Sequence, residues 1–206
     1  MLDALKCLDF EELIDRSLED PRAVAELERR YQTEAAILVV DFTSMVKRTE
    51  SAGIVYALAR ARAALKAMQP AIQSHDGRVL KQVADTFFAV FPTARQALLG
   101  ALDAQVRLAR DNQSRANRAG EDTILASIGL GHGPCLLMPG QDIFGAEVNR
   151  AFLLGEDVAA GGEILITPAF LQSLGTLPEG IGSFAARADR AKEVGFHFLR
   201  VQDYRE

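Results

Sequence analysis

The period of the apolar positions changes several times along the chain, and each change predicts an element. Residues 35–40 (Ala-Ala-Ile-Leu-Val-Val) are continuously apolar and end on Asp41, the pattern of a strand buried on both faces. From Ile54 the apolar side chains fall at Ile54, Leu58, Ala61, Leu65, Met68 and Ile72, in alternating steps of four and three. This spacing predicts a long helix lying on a sheet or another helix, kinked or ended at Pro70. His75-Asp-Gly77 reads as a turn into a hairpin, with strand-like runs at Arg78–Val83 and Thr86–Phe91 and a lone carboxylate, Asp85, at the tip. A helix beginning at Pro92-Thr93 carries Leu98, Leu102, Val106 and Ala109 on one face. It is expected to give way to a solvent loop at Asp111-Asn-Gln-Ser-Arg115.

Further on, residues 123–131 predict a strand, followed by a turn near Gly133-Pro134 and a short return through Leu136-Leu137. Residues 146–159 read as helical and are ended by Gly161-Gly162. A strand at 163–167, a short helix at 168–173 and two late strands near 183–189 and 195–201 complete the chain. At the N-terminus, Leu5, Leu8, Leu13, Ile14 and Leu18 make an imperfect helical stripe, and Asp20-Pro21 restarts a helix running to about Tyr31. Residues 1–33 therefore form an N-terminal helical segment, read either as a dimerisation or relay element or as a pair packed on the domain. Residues 34–206 form the main domain. The order βαββαβ followed by further αβ elements predicts an α+β, ferredoxin-like or palm-type fold, a mostly antiparallel mixed sheet with helices on one face.

Composition narrows the function. The 206 residues suffice for one sizeable core, and 49% hydrophobic with 25% charged residues is ordinary for a globular protein. A net charge of -5 argues against a nucleic-acid partner, which needs a basic face. The N-terminus lacks a secretory apolar segment and no apolar run has the roughly 20 residues of a membrane helix. The expectation is a cytoplasmic protein in which Cys7 and Cys135 are reduced thiols. His75, His132 and His197 have no ligand spacing, which argues against zinc.

Two apolar strands that each deliver an aspartate, Asp41 and Asp85, suggest a divalent cation between their tips, since hard carboxylates suit Mg²⁺ or Mn²⁺. The other reading makes Asp41 a helix cap ahead of Thr43 and Ser44 and Asp85 a turn residue; on these residues alone both stand. Alternation along the hairpin places Lys81, Val83 and Asp85 on one side. Gly129-Leu-Gly-His-Gly133 lacks the Lys-Ser/Thr of a phosphate loop and reads better as a strand ending in a hairpin.

Taken in order, Val40-Asp41, Gly77–Asp85, Phe88-Ala-Val-Phe91, Asp142-Ile-Phe-Gly145, Val148-Asn149-Arg-Ala151 and Gly161–Ile166 resemble the class III nucleotidyl cyclases, the catalytic domains of adenylyl and guanylyl cyclases. The similarity spans roughly Ala35 to Val201. It implies that Asp41 and Asp85 hold two Mg²⁺ or Mn²⁺ ions, that Lys81 and Asp142 read adenine, and that Asn149 orients the ribose and so takes part in catalysis. It also implies conversion of ATP to cyclic AMP and pyrophosphate at a head-to-tail homodimer interface. Asp41 and Asp85 would come from one subunit, and Lys81, Asp142 and Asn149 from the other.

The chain departs from the family's pattern at several points. Leu153 stands four residues beyond Asn149 where the family carries an arginine, and Ser127 replaces a strand arginine. Phe42-Thr-Ser-Met45 replaces a glycine-containing turn, and only a loosely aligned Lys192 corresponds to a triphosphate lysine. The alternative is therefore a catalytically weak or inactive cyclase-homology module that binds nucleotide or a regulatory partner protein. A diguanylate cyclase is disfavoured, because Ala84-Asp85-Thr86 stands where that family has a Gly-Gly-Asp/Glu-Glu-Phe turn.

Overall fold

Strand β1 (Gln32–Phe42) is the spine of the sheet. It pairs antiparallel with β3 (Thr86–Phe91) on one side and with β4 (Ala126–Met138) on the other. β2 (Arg78–Val83) forms a hairpin with β3, and β5 (Asp142–Phe144) folds back on the far end of β4. Beyond β4 lie β6 (Ile164–Ile166), β8 (Leu199–Tyr204) and β7 (Ile181–Ala186), giving the order β2-β3-β1-β4-β6-β8-β7. Only β4 and β6 run parallel, so the sheet is mixed and mostly antiparallel around a βαββαβ core, as expected from the sequence. This computed structural model describes residues 4–119, 123–140, 142–176, 181–186 and 195–204.

β1 is apolar on both faces, so both faces need cover. Ala36, Leu38, Val40 and Phe42 pack with α4 (Ile54–Ser74), α5 (Ala94–Ala119) and α7 (Pro168–Leu174). Ile37 and Val39 pack instead with Phe88 and with Val148 and Ala151 of α6 (Ala146–Leu153). The expectation of helices on one face thus holds for the long helices, while α6 and a single π-helical segment, Leu154–Val158, cover part of the other. Fully buried Phe42, Phe87, Phe91, Met68 and Leu98 dominate the larger core, each worth about 1.5–3 kcal/mol of burial.

Four sequence expectations need correction. First, α4 does not end at Pro70. The proline is exposed, and buried Met68, Ala71 and Ile72 hold the last turn. Second, the buried face of α4 is made by Ala57, Ala61, Ala64, Met68 and Ala71, while Ile54 and Leu58 are 73% and 52% exposed. Small residues let the helix approach the sheet closely, and the bulky ones overhang its edge.

Third, α5 continues through Asp111–Arg115 because the polar residues have partners. Asn112 Nδ2 donates to the Ile124 carbonyl (2.7 Å) while Ile124 N–H donates to Asn112 Oδ1 (3.1 Å), and Arg115 Nε donates to Asp111 Oδ2 (2.6 Å). Fourth, β4 runs straight through Gly133-Pro134, paired with β1 from Ala126↔Phe42 to Leu136↔Gln32, and the chain reverses only afterwards into β5.

The N-terminal residues form a 3₁₀ turn (Ala4–Cys7), α1 (Phe10–Ser17) and α2 (Pro21–Tyr31). Asp9 and Glu12 make a capping box, and Asp20 caps α2 with Pro21 in its first turn. Leu5, Phe10, Leu13, Ala23 and Leu27 form their own small core, with Met138 at the end of β4 packed against it.

Candidate functional site

Two groups of side chains meet at the β2–β3 hairpin. The first surrounds the C-terminal tip of β1. Asp41 is half-buried there, and Asp85 sits in the two-residue turn beside it, with Ala84 held at φ 53°. Such a conformation costs a non-glycine residue on the order of 1 kcal/mol, and strain of this kind concentrates at functional sites. Thr86 Oγ1 donates to Glu156 Oε2 at 2.7 Å and lies 3.3 Å from Asp41 Oδ1, tying the π-helical segment to the strand tips. Burial, and after it the charges of Glu156 and Asp85, push the Asp41 carboxyl up to about 7. A cleft of about 460 Å³ opens over these carboxylates, bounded on its far side by α3 (Met45–Ala52).

Hard oxygen donors that repel one another are a donor set a divalent cation would relieve. Among the described residues no three His, Cys, Asp or Glu side chains close into a complete metal shell. Asp41 and Asp85 instead line one open cleft, where a hard divalent cation would have to complete its coordination from water or an anionic ligand.

The second group is Lys81, Asp142, Phe88 and Phe152. Lys81 Nζ donates to Asp142 Oδ1 at 2.6 Å although 61 residues separate them, because β5 folds back along β4. This hydrogen bond, with a lesser one from Ile143 N–H, holds the Asp142 carboxyl below its ordinary value. Lys81 Nζ also lies 4.7 Å from the Phe88 ring centroid, a cation–π distance. Phe152 stacks on Phe88 with centroids 5.9 Å apart and an interplanar angle of 6°. These aromatics wall a second cleft of about 360 Å³ that runs from Lys81 to Asp85 and Glu156.

The structure therefore brings Asp41 together with Asp85, and Lys81 together with Asp142. Asn149 joins neither pair: it is exposed on α6, and among the described residues its side chain has no hydrogen-bond partner. Glu156 and Thr86 carry no functional signal in the sequence: Glu156 lies within a stretch whose pattern is simply helical, and it meets Thr86 from the π-helical segment Leu154–Val158. Arg150 pairs with Glu147 (2.5 Å) and lies over Phe196, so it is held by α6's own surroundings. Ser127, paired directly with Asp41, is buried, and Lys192 lies outside the described residues.

No protein-family model and no curated protein sequence matches the chain significantly. Solved structures do. The guanylyl cyclase Cya2 superposes with a TM-score of 0.69 at 18% identity, covering 85% of this chain and 94% of that one. An adenylate/guanylate cyclase/hydrolase from Silicibacter pomeroyi gives 0.67 at 24% identity, over 85% and 98%. The adenylyl cyclase CyaB from P. aeruginosa gives 0.69 at 18% identity, over 85% and 96%. The chain has the fold of the class III adenylyl and guanylyl cyclase catalytic domains.

Proposed function

We propose that this chain is a cytoplasmic adenylyl-cyclase-type domain that converts ATP to cyclic AMP and pyrophosphate as a homodimer. The observation that carries the reading is the Lys81–Asp142 contact on the hairpin that also bears Asp85. Structural neighbours include both adenylyl and guanylyl cyclases, so the fold leaves the base open, and the chemistry of the side chains supports adenine. An ammonium donates to a ring nitrogen of adenine and a carboxylate accepts from its exocyclic amine; guanine presents the opposite pattern at those positions. Lys81 and Asp142 thus read the base, and the exposed Asn149 orients the ribose of a nucleotide shared with the second subunit.

Asp41 and Asp85 would hold two Mg²⁺ or Mn²⁺ ions. Such ions, when bound, acidify the attacking 3′-hydroxyl and offset phosphate charge. The protein's own part is positional: Asp41 and Asp85 would hold the ions at the phosphate end, Lys81 and Asp142 fix the base, and the alignment between them lowers the barrier.

A second reading rests on Ser127 and Leu153. Neither supplies a cation, and losing one preorganised cation at a phosphoryl-transfer site costs on the order of 10³-fold in rate. A nucleotide-binding regulatory module with little turnover, acting on a partner protein, would keep the binding residues and lose these. With Mn²⁺ and ATP, the wild type is expected to form cyclic AMP above an Asp41→Ala control. No cyclic nucleotide above that control from any of the four triphosphates would sink the enzyme reading. Calorimetric binding of a non-hydrolysable ATP analogue without turnover would select the regulatory one.

A further inference from the structure

The cleft over the strand tips is bounded by four carboxylates, Asp41, Asp85, Glu156 and Glu50, and by a single cation among the described residues that line it, Lys47. Lys47 is exposed on α3, and among the described residues it has no ion-pair or hydrogen-bond partner.

α3 is a lightly packed helix at the edge of the main core. None of its residues is buried, and left-handed residues bracket it, Ser44 at φ 64° and Gly53 at φ 90°. It is tethered by Arg48, whose Nη2 donates to the Thr123 carbonyl at 3.0 Å. Its position over the tips is set by the two turns, by this tether and by Met45, which packs partly buried against the main core. That leaves Lys47, a compact charge on a flexible four-carbon stem, free to follow an anion through the cleft.

We propose that Lys47 is the cation that receives the phosphate chain at the strand tips. This assignment rests on the nucleotide reading above. The strand position opposite Asp41 is the buried Ser127, so β4 supplies no charge there, and Lys81 is engaged with Asp142 in the neighbouring cleft. Lys47 is a positioning residue for the triphosphate: it contributes to binding any ligand with a phosphate chain and nothing to binding the nucleoside.

Calorimetry with Lys47→Gln and Lys47→Arg tests it, with Mn²⁺ alone, adenosine and a non-hydrolysable ATP analogue in Mn²⁺ as the three probes. Because Lys47 is exposed, both variants are expected to keep the wild-type circular dichroism spectrum. Loss of a charge-assisted contact should weaken the ATP analogue about tenfold or more in Lys47→Gln, with partial retention in Lys47→Arg. Adenosine and Mn²⁺ affinities should not move. Equal analogue affinity in wild type and Lys47→Gln, or a parallel loss for adenosine, overturns the role of Lys47 alone. A wild type that binds Mn²⁺ but no nucleotide overturns the nucleotide reading and this assignment with it.

Discussion

Asp41 concentrates the chemistry of the site in one titration. Its carboxyl is raised to about 7 by burial and by Glu156 and Asp85, well above its ordinary 3.8. Between those values the folded protein holds a proton that the unfolded chain releases, so stability falls as pH rises from about 4 to 7 and stays lowered above. Metal-free protein should melt at a higher temperature at pH 5 than at pH 8, with a contribution from Asp41 of about 1 kcal/mol after solvent screening, or roughly 2–4 °C for a domain of this size. Asp41→Asn should flatten that difference, and Mn²⁺ should restore stability at pH 8 in the wild type only. An unchanged pH profile in Asp41→Asn, followed by thermal melts, would show that Asp41 is not the strained group. The sequence marked Asp41 and Asp85 because each ends an apolar run. It could not mark Glu156, whose approach depends on the π-helical segment and on Thr86, neither of which leaves a pattern in residue types.

At the scale of elements, the placement of α6 explains why so much of the site is precise. Gly129 and Gly131 of β4 lie directly beneath it: a Cβ at Gly129 would run into the Ala151 carbonyl, and one at Gly131 would come within 2.6 Å of the Glu147 carbonyl. Glycines in a strand often mark such a close backbone approach. The buried Glu147 then fastens the helix, accepting from Thr167 Oγ1 at 2.5 Å and from Arg150. Asn149, Phe152 and Glu156 inherit their positions from this contact. Gly129→Ala should therefore cost about 1–3 kcal/mol by overpacking, measurable by urea denaturation, and should also weaken nucleotide binding. A variant as stable as the wild type would mean that α6 yields easily and that its seat on β4 is not what aligns the site.

The same glycines show where sequence reading reaches its limit. Gly129-Leu-Gly-His-Gly133 looked like the end of a strand because glycine and proline interrupt strands locally. In the fold, helix contact rather than chain reversal selects the glycines, and the long pairing with β1 carries β4 through Pro134. Likewise, the alternating steps of four and three from Ile54 identified α4, yet alanines face the core and Ile54 and Leu58 face outward. Periodicity finds an element; which stripe is buried depends on how closely its neighbours approach.

At the scale of the whole molecule, the proposed homodimer predicts that one chain supplies two half-sets of residues to different sites. Lys81 and Asp142 form a pair, Asp41 and Asp85 form another, and Asn149 faces outward. Around them Val83, Phe144 and Phe152 expose apolar surface at 58%, 59% and 36%. Exposed apolar residues around a polar site are what a subunit interface would cover. With Asp41 of one subunit meeting Asn149 of the other across a two-fold axis, Asp41→Asn and Asn149→Ala damage different halves of the same site. Each homodimer would then lose cyclase activity, by about 10²-fold or more when a positioning group is removed. In a mixed dimer both lesions fall in one of the two sites and the other is intact. Co-expressing the two variants in equal amounts should then recover about a quarter of wild-type activity per subunit, since half the dimers are mixed and each has one working site. Recovery should follow the fraction of mixed dimers isolated with two affinity tags. If the isolated mixed dimers are no more active than either parent while the wild type is active, Asp41 and Asn149 serve the same half-site within one chain.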